Sequence, residues 1–238
     1  MSAPPASRIQ LYSGGAPQRV LDLLLPEFER ATGYSVIATF EIVSRIQERL
    51  AAGERPDLIL LPEQLLAEIG ATVPLRSEGR KVLVRIGIGV IVRADSTPPD
   101  LSTEAGVRSM LQQARAIAVP DPRTPSGRHL DRLLARLGLA DELKERLIRK
   151  GAIHGGGELV ASGDADVGLY LVSEVQHIPG VQVAGLLPPS LQQHVVYASA
   201  IPVADRPPEP ALSLIRFLKS PEQTMRWKEG GFEPIEAT

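Results

Sequence analysis

The sequence predicts an α/β protein of two lobes joined by two crossover strands, and three observations carry that prediction. Short apolar strands alternate with segments of helical periodicity between residues 9 and 61, the pattern of a parallel sheet covered by helices. Two long β-prone runs, KVLVRIGIGVIVR at 81–93 and VVYASAIPV at 195–203, interrupt that rhythm. Between them the strand and helix alternation resumes, so the chain leaves one lobe, builds a second and returns. The expected division is 1–86 with 200–238 as lobe I, and 87–199 as lobe II.

The elements follow in order. Ile9 to Tyr12 is a strand that ends in Ser13-Gly14-Gly15, and Pro17 stands where a helix begins, with Val20, Leu21, Leu24, Leu25 and Phe28 on its apolar face. Tyr34 to Phe40 is the next strand, and Ile46 and Leu50 mark a second helix closed by Gly53. Asp57 to Leu61 reads as a strand buried on both faces. Gly87 and Gly89 lie inside the first long run, where a strand can bend from one sheet to another. In the second lobe Ile117 to Val119 and Asp166 to Leu171 are strands, and Asp121 to Gly127 is a loop. Helices are expected over His129 to Leu137, over Asp141 to Arg149, and from Glu158. Ala211 to Leu218 is a late helix, followed by a short one opened by Ser220-Pro221-Glu222.

Composition removes several classes of function. The 238 residues carry a net charge of −2, so no basic field favours nucleic acid. There are no cysteines, hence no disulfide, thiolate metal site or cysteine nucleophile. The four histidines, 129, 154, 177 and 194, lack metal-ligand spacing. No cofactor is expected. No apolar run approaches the roughly 20 residues that span a bilayer, and Met1 to Arg8 has no signal-like apolar segment. The expectation is a monomer that binds no nucleic acid.

Open α/β sheets bind ligands beyond the carboxyl ends of their strands. Four segments fall there: Ser13-Gly14-Gly15, Val43-Ser44-Arg45, Thr124 to Arg128, and His154-Gly155-Gly156-Gly157. Each leads into a helix, whose N-terminal N–H groups favour anions. The candidate ligand-binding residues are therefore Ser13, Gly14, Gly15, Ser44, Arg45, Ser126, Gly127, Arg128, His154, Gly155 and Gly156. A plain reading stands beside each. Paired glycines punctuate turns, serines cap helices, and an arginine in a first helical turn can serve a neighbouring carboxylate such as Asp121. No nucleophile elbow, P-loop or dinucleotide fingerprint is present, so no catalytic set is assigned.

In their order and spacing, Ile9 to Tyr12, Phe40 to Gly53, Pro56 to Ile59, Asp121-Pro122 with Pro125-Ser126-Gly127, Val167 to Leu169, Phe217-Leu218 and Gly230-Gly231-Phe232 resemble the bacterial molybdate and tungstate substrate-binding proteins. The resemblance implies the type II periplasmic binding fold, a ligand in the cleft between the lobes, and an ABC transporter membrane component as partner. It implies a periplasmic location, whereas a chain that starts naturally at Met1 is expected in the cytoplasm. It also implies oxyanion contacts that this chain lacks. Where the family's first strand runs into Ala-Ala-Ser-Leu, this sequence has Gly14-Gly15-Ala16-Pro17, and the late tyrosine position falls on Leu171. The amide donors the resemblance implies fall on Ser126 and on Gly155 or Gly156.

Two functions follow as expectations. The first is a solute-binding component of a transport system, or a ligand sensor, that holds an organic carboxylate rather than molybdate. The alternative is an isomerase of an unsaturated di- or tricarboxylic acid on the same scaffold. That enzyme needs a base, and Glu41, His154 and Glu158 are the nearest candidates.

Overall fold

A computed structural model describes residues 8–151 and 155–235. The chain forms two compact units, residues 1–85 with 196–238, and residues 86–195.

In the first unit β1 (Arg8–Ser13), α1 (Gln18–Thr32), β2 (Ser35–Phe40), α2 (Val43–Ala51), β3 (Leu58–Pro62) and α3 (Glu63–Gly70) alternate before the long β4 (Leu75–Ile86). β1 pairs in parallel with both β2 and β3, so its two neighbours are reached by helical crossovers. Leu58 to Leu61 are wholly buried because helices cover both faces of this strand. Gly33 ends α1 in the left-handed conformation (φ 76°), and its N–H donates to the Glu29 carbonyl at 2.8 Å, a helix stop suited to glycine.

The second unit begins at Ile86, and Gly87 breaks the first long run into β4 and β5 (Ile88–Arg93). It continues through α4 (Glu104–Gln113), β6 (Ile117–Val119), α5 (Pro125–Arg136), α6 (Ala140–Leu143), β7 (Leu147–Arg149), α7 (Gly156–Ser162), β8 (Val167–Leu171), α8 (Val172–Val175) and β9 (Val181–Leu186). Its five strands run in the order β7-β6-β8-β5-β9. β6 is parallel to β7 and β8, and β5 is antiparallel to β8 and β9.

β10 (Val195–Pro202) returns the chain to the first unit, followed by α9 (Glu209–Leu218), α10 (Thr224–Glu229) and β11 (Glu233–Pro234). The six-stranded sheet there runs β11-β4-β10-β3-β1-β2.

The structure corrects the reading of 141–149. The helix there is α6 followed by one 3-10 turn, Lys144–Arg146, and Leu147–Arg149 is strand β7, paired in parallel with β6. The charges at 141–146 suggested one exposed helix, but Leu147 and Ile148 are drawn into the sheet edge instead. α5 also opens earlier than expected, at Pro125, because Thr124 caps it.

The break at Gly87 has a packing cause. The Gln192 side chain accepts from the Ile88 N–H at 3.0 Å and donates to the Ile88 carbonyl at 2.9 Å. A methyl on residue 87 would lie 2.9 Å from Gln192 Nε2. Gln192→Ala strips the Ile88 N–H of its acceptor and is expected to destabilise the protein by about 1–3 kcal/mol in urea unfolding.

Candidate functional site

The carboxyl ends of β1, β2 and β3 form one candidate surface, in the first unit. Ser13 is fully buried, and its hydroxyl donates to the Gly14 carbonyl at 3.0 Å. The Gly14 N–H donates to the Leu60 carbonyl and the Glu41 N–H to the Ser13 carbonyl, both at 3.2 Å, so these bonds knit the three strand ends together. The Gly15 carbonyl accepts from Gln18 as α1 begins. Ala16 is buried beside it, presenting a methyl group where the resemblance implies a hydroxyl.

Ser44 and Arg45 lie exposed on the first turn of α2. The N-cap is Ile42, not Ser44, and Arg45 pairs with Glu48 at 3.0 Å on the surface. Such exposed pairs contribute little, typically under 1 kcal/mol. Glu41 is held differently: one oxygen accepts from Arg49 at 2.9 Å, and the other is buried without a partner. Arg49 also donates to the Tyr12 hydroxyl at 2.7 Å, reaches Glu54 at 3.0 Å, and lies over the Tyr12 ring. The Glu54 carboxyl is lowered chiefly by that guanidinium.

Tyr197 was not legible as a site residue. It sits on β10 opposite Pro62, is buried, and a methyl at Gly14 would meet its hydroxyl at 3.5 Å. Its only sequence signal was a tyrosine inside a β run.

The second candidate surface, in the other unit, lies at the carboxyl ends of β6, β7 and β8. Thr124, not Ser126, caps α5: its Oγ1 accepts from the Gly127 N–H at 3.1 Å. Ser126 is buried with its hydroxyl 3.3 Å from that of Thr124. Its N–H, in the first turn, has no intrahelical acceptor. Arg128 points to the surface and donates to the Arg123 carbonyl at 2.7 Å. The partner of Asp121 is Arg123, at 2.8 Å, and that guanidinium holds the Asp121 carboxyl at about 2. His129, farther along α5, bonds the Leu191 carbonyl, and burial pushes its pKa down.

His154 lies outside the described residues. Gly155, the N-cap of α7, stands in the left-handed region (φ 92°), which favours glycine. The next two glycines are explained by packing. A methyl on Gly156 would collide with the Tyr170 hydroxyl and lie 2.7 Å from the Lys150 carbonyl, and one on Gly157 would collide with Ile178. The Gly156 N–H already donates to the Gly151 carbonyl at 3.0 Å. Tyr170 is buried in the sheet core, with its hydroxyl donating to the Lys150 carbonyl at 2.9 Å. Ser173 and Glu174, on α8 just past β8, were also not legible. Ser173 is buried with an unpartnered hydroxyl, and burial pushes the Glu174 carboxyl up to about 7. Among the described residues there is no cluster of three metal-ligating side chains, and no helix is long and apolar enough to cross a membrane.

Two α/β units with a discontinuous first unit and a chain that crosses twice define a type II periplasmic binding fold. The substrate-binding domain of a molybdenum ABC transporter from Clostridium difficile superposes with a TM-score of 0.79 at 20% identity, covering 97% of this chain and 100% of that one. Residues 9–233 match the model of the bacterial extracellular solute-binding proteins, and the chain belongs to that family. It is 25% identical to the molybdate-binding protein ModA of Azotobacter vinelandii, over 87% of this chain and 82% of that protein. It is 27% identical to an aconitate isomerase from a Pseudomonas species, over 100% of this chain and 92% of that protein.

Proposed function

We propose that this chain binds a small organic di- or tricarboxylate through the strand-end residues of its units, as a solute-binding component of a transport system or as a ligand sensor. The observation that carries the reading is Ala16, a buried methyl at the head of α1 where the molybdate-binding pattern places a hydroxyl. An oxyanion desolvated against a methyl loses a hydrogen bond that it holds in water, at a cost of about 1–3 kcal/mol. Ser44, exposed and outside the cap of α2, supplies no obvious substitute. A carboxylate asks less of this position, because it accepts in one plane from donors at a helix start such as the Ser126 N–H and hydroxyl of α5.

The test is a thermal-shift and calorimetric screen of citrate, cis- and trans-aconitate, malate, molybdate and tungstate. A tight ligand at 100 times its Kd adds about 2.7 kcal/mol of stability, so carboxylates are expected to raise the melting temperature and molybdate to leave it unmoved. Nanomolar binding of molybdate or tungstate overturns the reading.

A second reading, an isomerase of an unsaturated carboxylic acid, is favoured by the full-length similarity to an aconitate isomerase. Proton exchange into cis-aconitate in deuterated water separates it from pure binding.

A further inference from the structure

Several acidic side chains near the strand ends of this protein are tied to cations. Glu41 meets Arg49, Asp57 meets Arg206, Asp121 meets Arg123 and Asp166 meets Arg115. Glu174 departs from this pattern. It is the third residue of α8, the turn that follows β8 at its carboxyl end, and among the described residues neither a hydrogen-bond donor nor a cation reaches it.

Its surroundings are specific. α8 packs on β5, β8 and β9. β9 carries no ionisable side chain, and β5 carries only Arg93, at its far end and paired with Asp95. From β8 comes Tyr170, whose hydroxyl is pushed up first by burial and then by two carboxylates, Glu174 and Glu158 of α7. The Lys150 ammonium lies by Gly155, ahead of α7: a methyl there would meet it at 3.0 Å and Glu158 Oε2 at 3.9 Å. Ser173, next in the chain to Glu174, is 5% exposed and its hydroxyl has no partner. A buried hydroxyl left unpartnered, next in the chain to a half-buried carboxyl, is costly to the fold. Both stand at the end of the sheet where ligands of open α/β proteins bind.

We propose that Glu174 is the proton-transfer group of an isomerase acting on an unsaturated polycarboxylic acid, an inference that rests on the second functional reading above. The Glu174 carboxylate takes a proton from the substrate carbon that lies between the double bond and a carboxylate. The C–H bond breaks, an O–H bond forms on Glu174, and the electron pair spreads over the three-carbon allylic unit and its carboxylates. Glu174 then returns a proton to the carbon at the other end of that unit, and the double bond moves by one position. Proton and electron count are unchanged, so no oxidant, reductant or metal enters the balance. A carboxyl titrating at about 7 is matched to both halves of this exchange. Glu41, by contrast, is already engaged by the Arg49 guanidinium at 2.9 Å.

The experiment uses the full chain, as wild type and as the Glu174→Gln variant. Proton NMR follows isomerisation of cis- and trans-aconitate and deuterium wash-in, and calorimetry follows aconitate binding. The wild type is expected to turn over, with a kcat limb near pH 7. E174Q is expected to lose about 10²–10⁴-fold in kcat while its aconitate Kd changes less than threefold. Wild-type turnover with E174Q within threefold of it overturns the role of Glu174 and leaves the isomerase reading standing. Aconitate binding with no exchange in the wild type overturns the isomerase reading and this proposal together.

Melting temperatures serve as the folding control. The folded carboxyl keeps its proton to about 7 against an ordinary 4.5, so the folded state binds more protons in between and wild-type stability falls as pH rises through that window. E174Q lacks the titration, so its melting temperature is expected to rise relative to wild type from pH 5 to pH 7.5. A variant that instead melts lower throughout, with lost aconitate binding, assigns Glu174 to the fold and overturns the proposal.

Discussion

Trp227→Ala is expected to destabilise the first unit by about 3–5 kcal/mol, the range for removing a large aromatic from a core. Trp227 is 1% exposed on α10, and its ring meets Phe232 edge-on at 5.3 Å. Its Nε1 donates to the Leu218 carbonyl at 2.9 Å, at the end of α9. One side chain therefore fastens α9, α10 and the segment leading to β11. Truncation removes the burial, the ring contact and the donor together. Trp227→Phe keeps most of the burial and loses the hydrogen bond, for a smaller expected cost of about 1–2 kcal/mol. Trp227 is the only tryptophan, so urea unfolding should be followed by circular dichroism rather than fluorescence. A loss below 1 kcal/mol for the alanine variant contradicts this account.

Gly127→Ala is expected to cost about 2–4 kcal/mol, from overpacking together with partial loss of a helix cap. The added methyl would run into the Asp121 carbonyl oxygen, 2.6 Å from its carbon and 3.0 Å from Pro122 Cα. These are backbone atoms and cannot rotate aside. The loop must retreat, and with it Thr124, whose N–H and hydroxyl both donate to that same carbonyl at 3.0 and 2.8 Å. Thr124 Oγ1 would then lose its grip on the Gly127 N–H. Thr124→Ser keeps the cap oxygen and is expected to stay within about 0.5 kcal/mol of wild type. Urea unfolding of the three proteins checks both figures. A methyl tolerated at Gly127 would mean that the Asp121 turn is softer than its bonds suggest.

The positions of the candidate segments were legible because strand ends and helix starts leave local marks. Ser13-Gly14-Gly15 does close β1, and Thr124 to Arg128 does open α5. The roles of the side chains were not legible. Arg128 and Arg45 read alike in sequence, yet one donates to a backbone carbonyl and the other to Glu48. The three glycines at 155–157 suggest a surface open to a ligand, whereas two of them make room for Tyr170 and Ile178. Glu174 carried no signal at all, because nothing local distinguishes a carboxyl that meets an arginine from one that does not.

By itself the sequence determined the α/β class, the alternation of the first unit and the two long β runs by which the chain leaves and returns. Each of these follows from apolar periodicity and turn residues within a few positions of one another. Tertiary structure alone decided that 147–149 joins a sheet, that Gln192 clasps Ile88, and that Tyr197 reaches Gly14. It also decided that, among the described residues, no cation reaches Glu174. Those outcomes depend on which distant residue arrives to fill a space or answer a charge, and sequence spacing carries no record of that arrival.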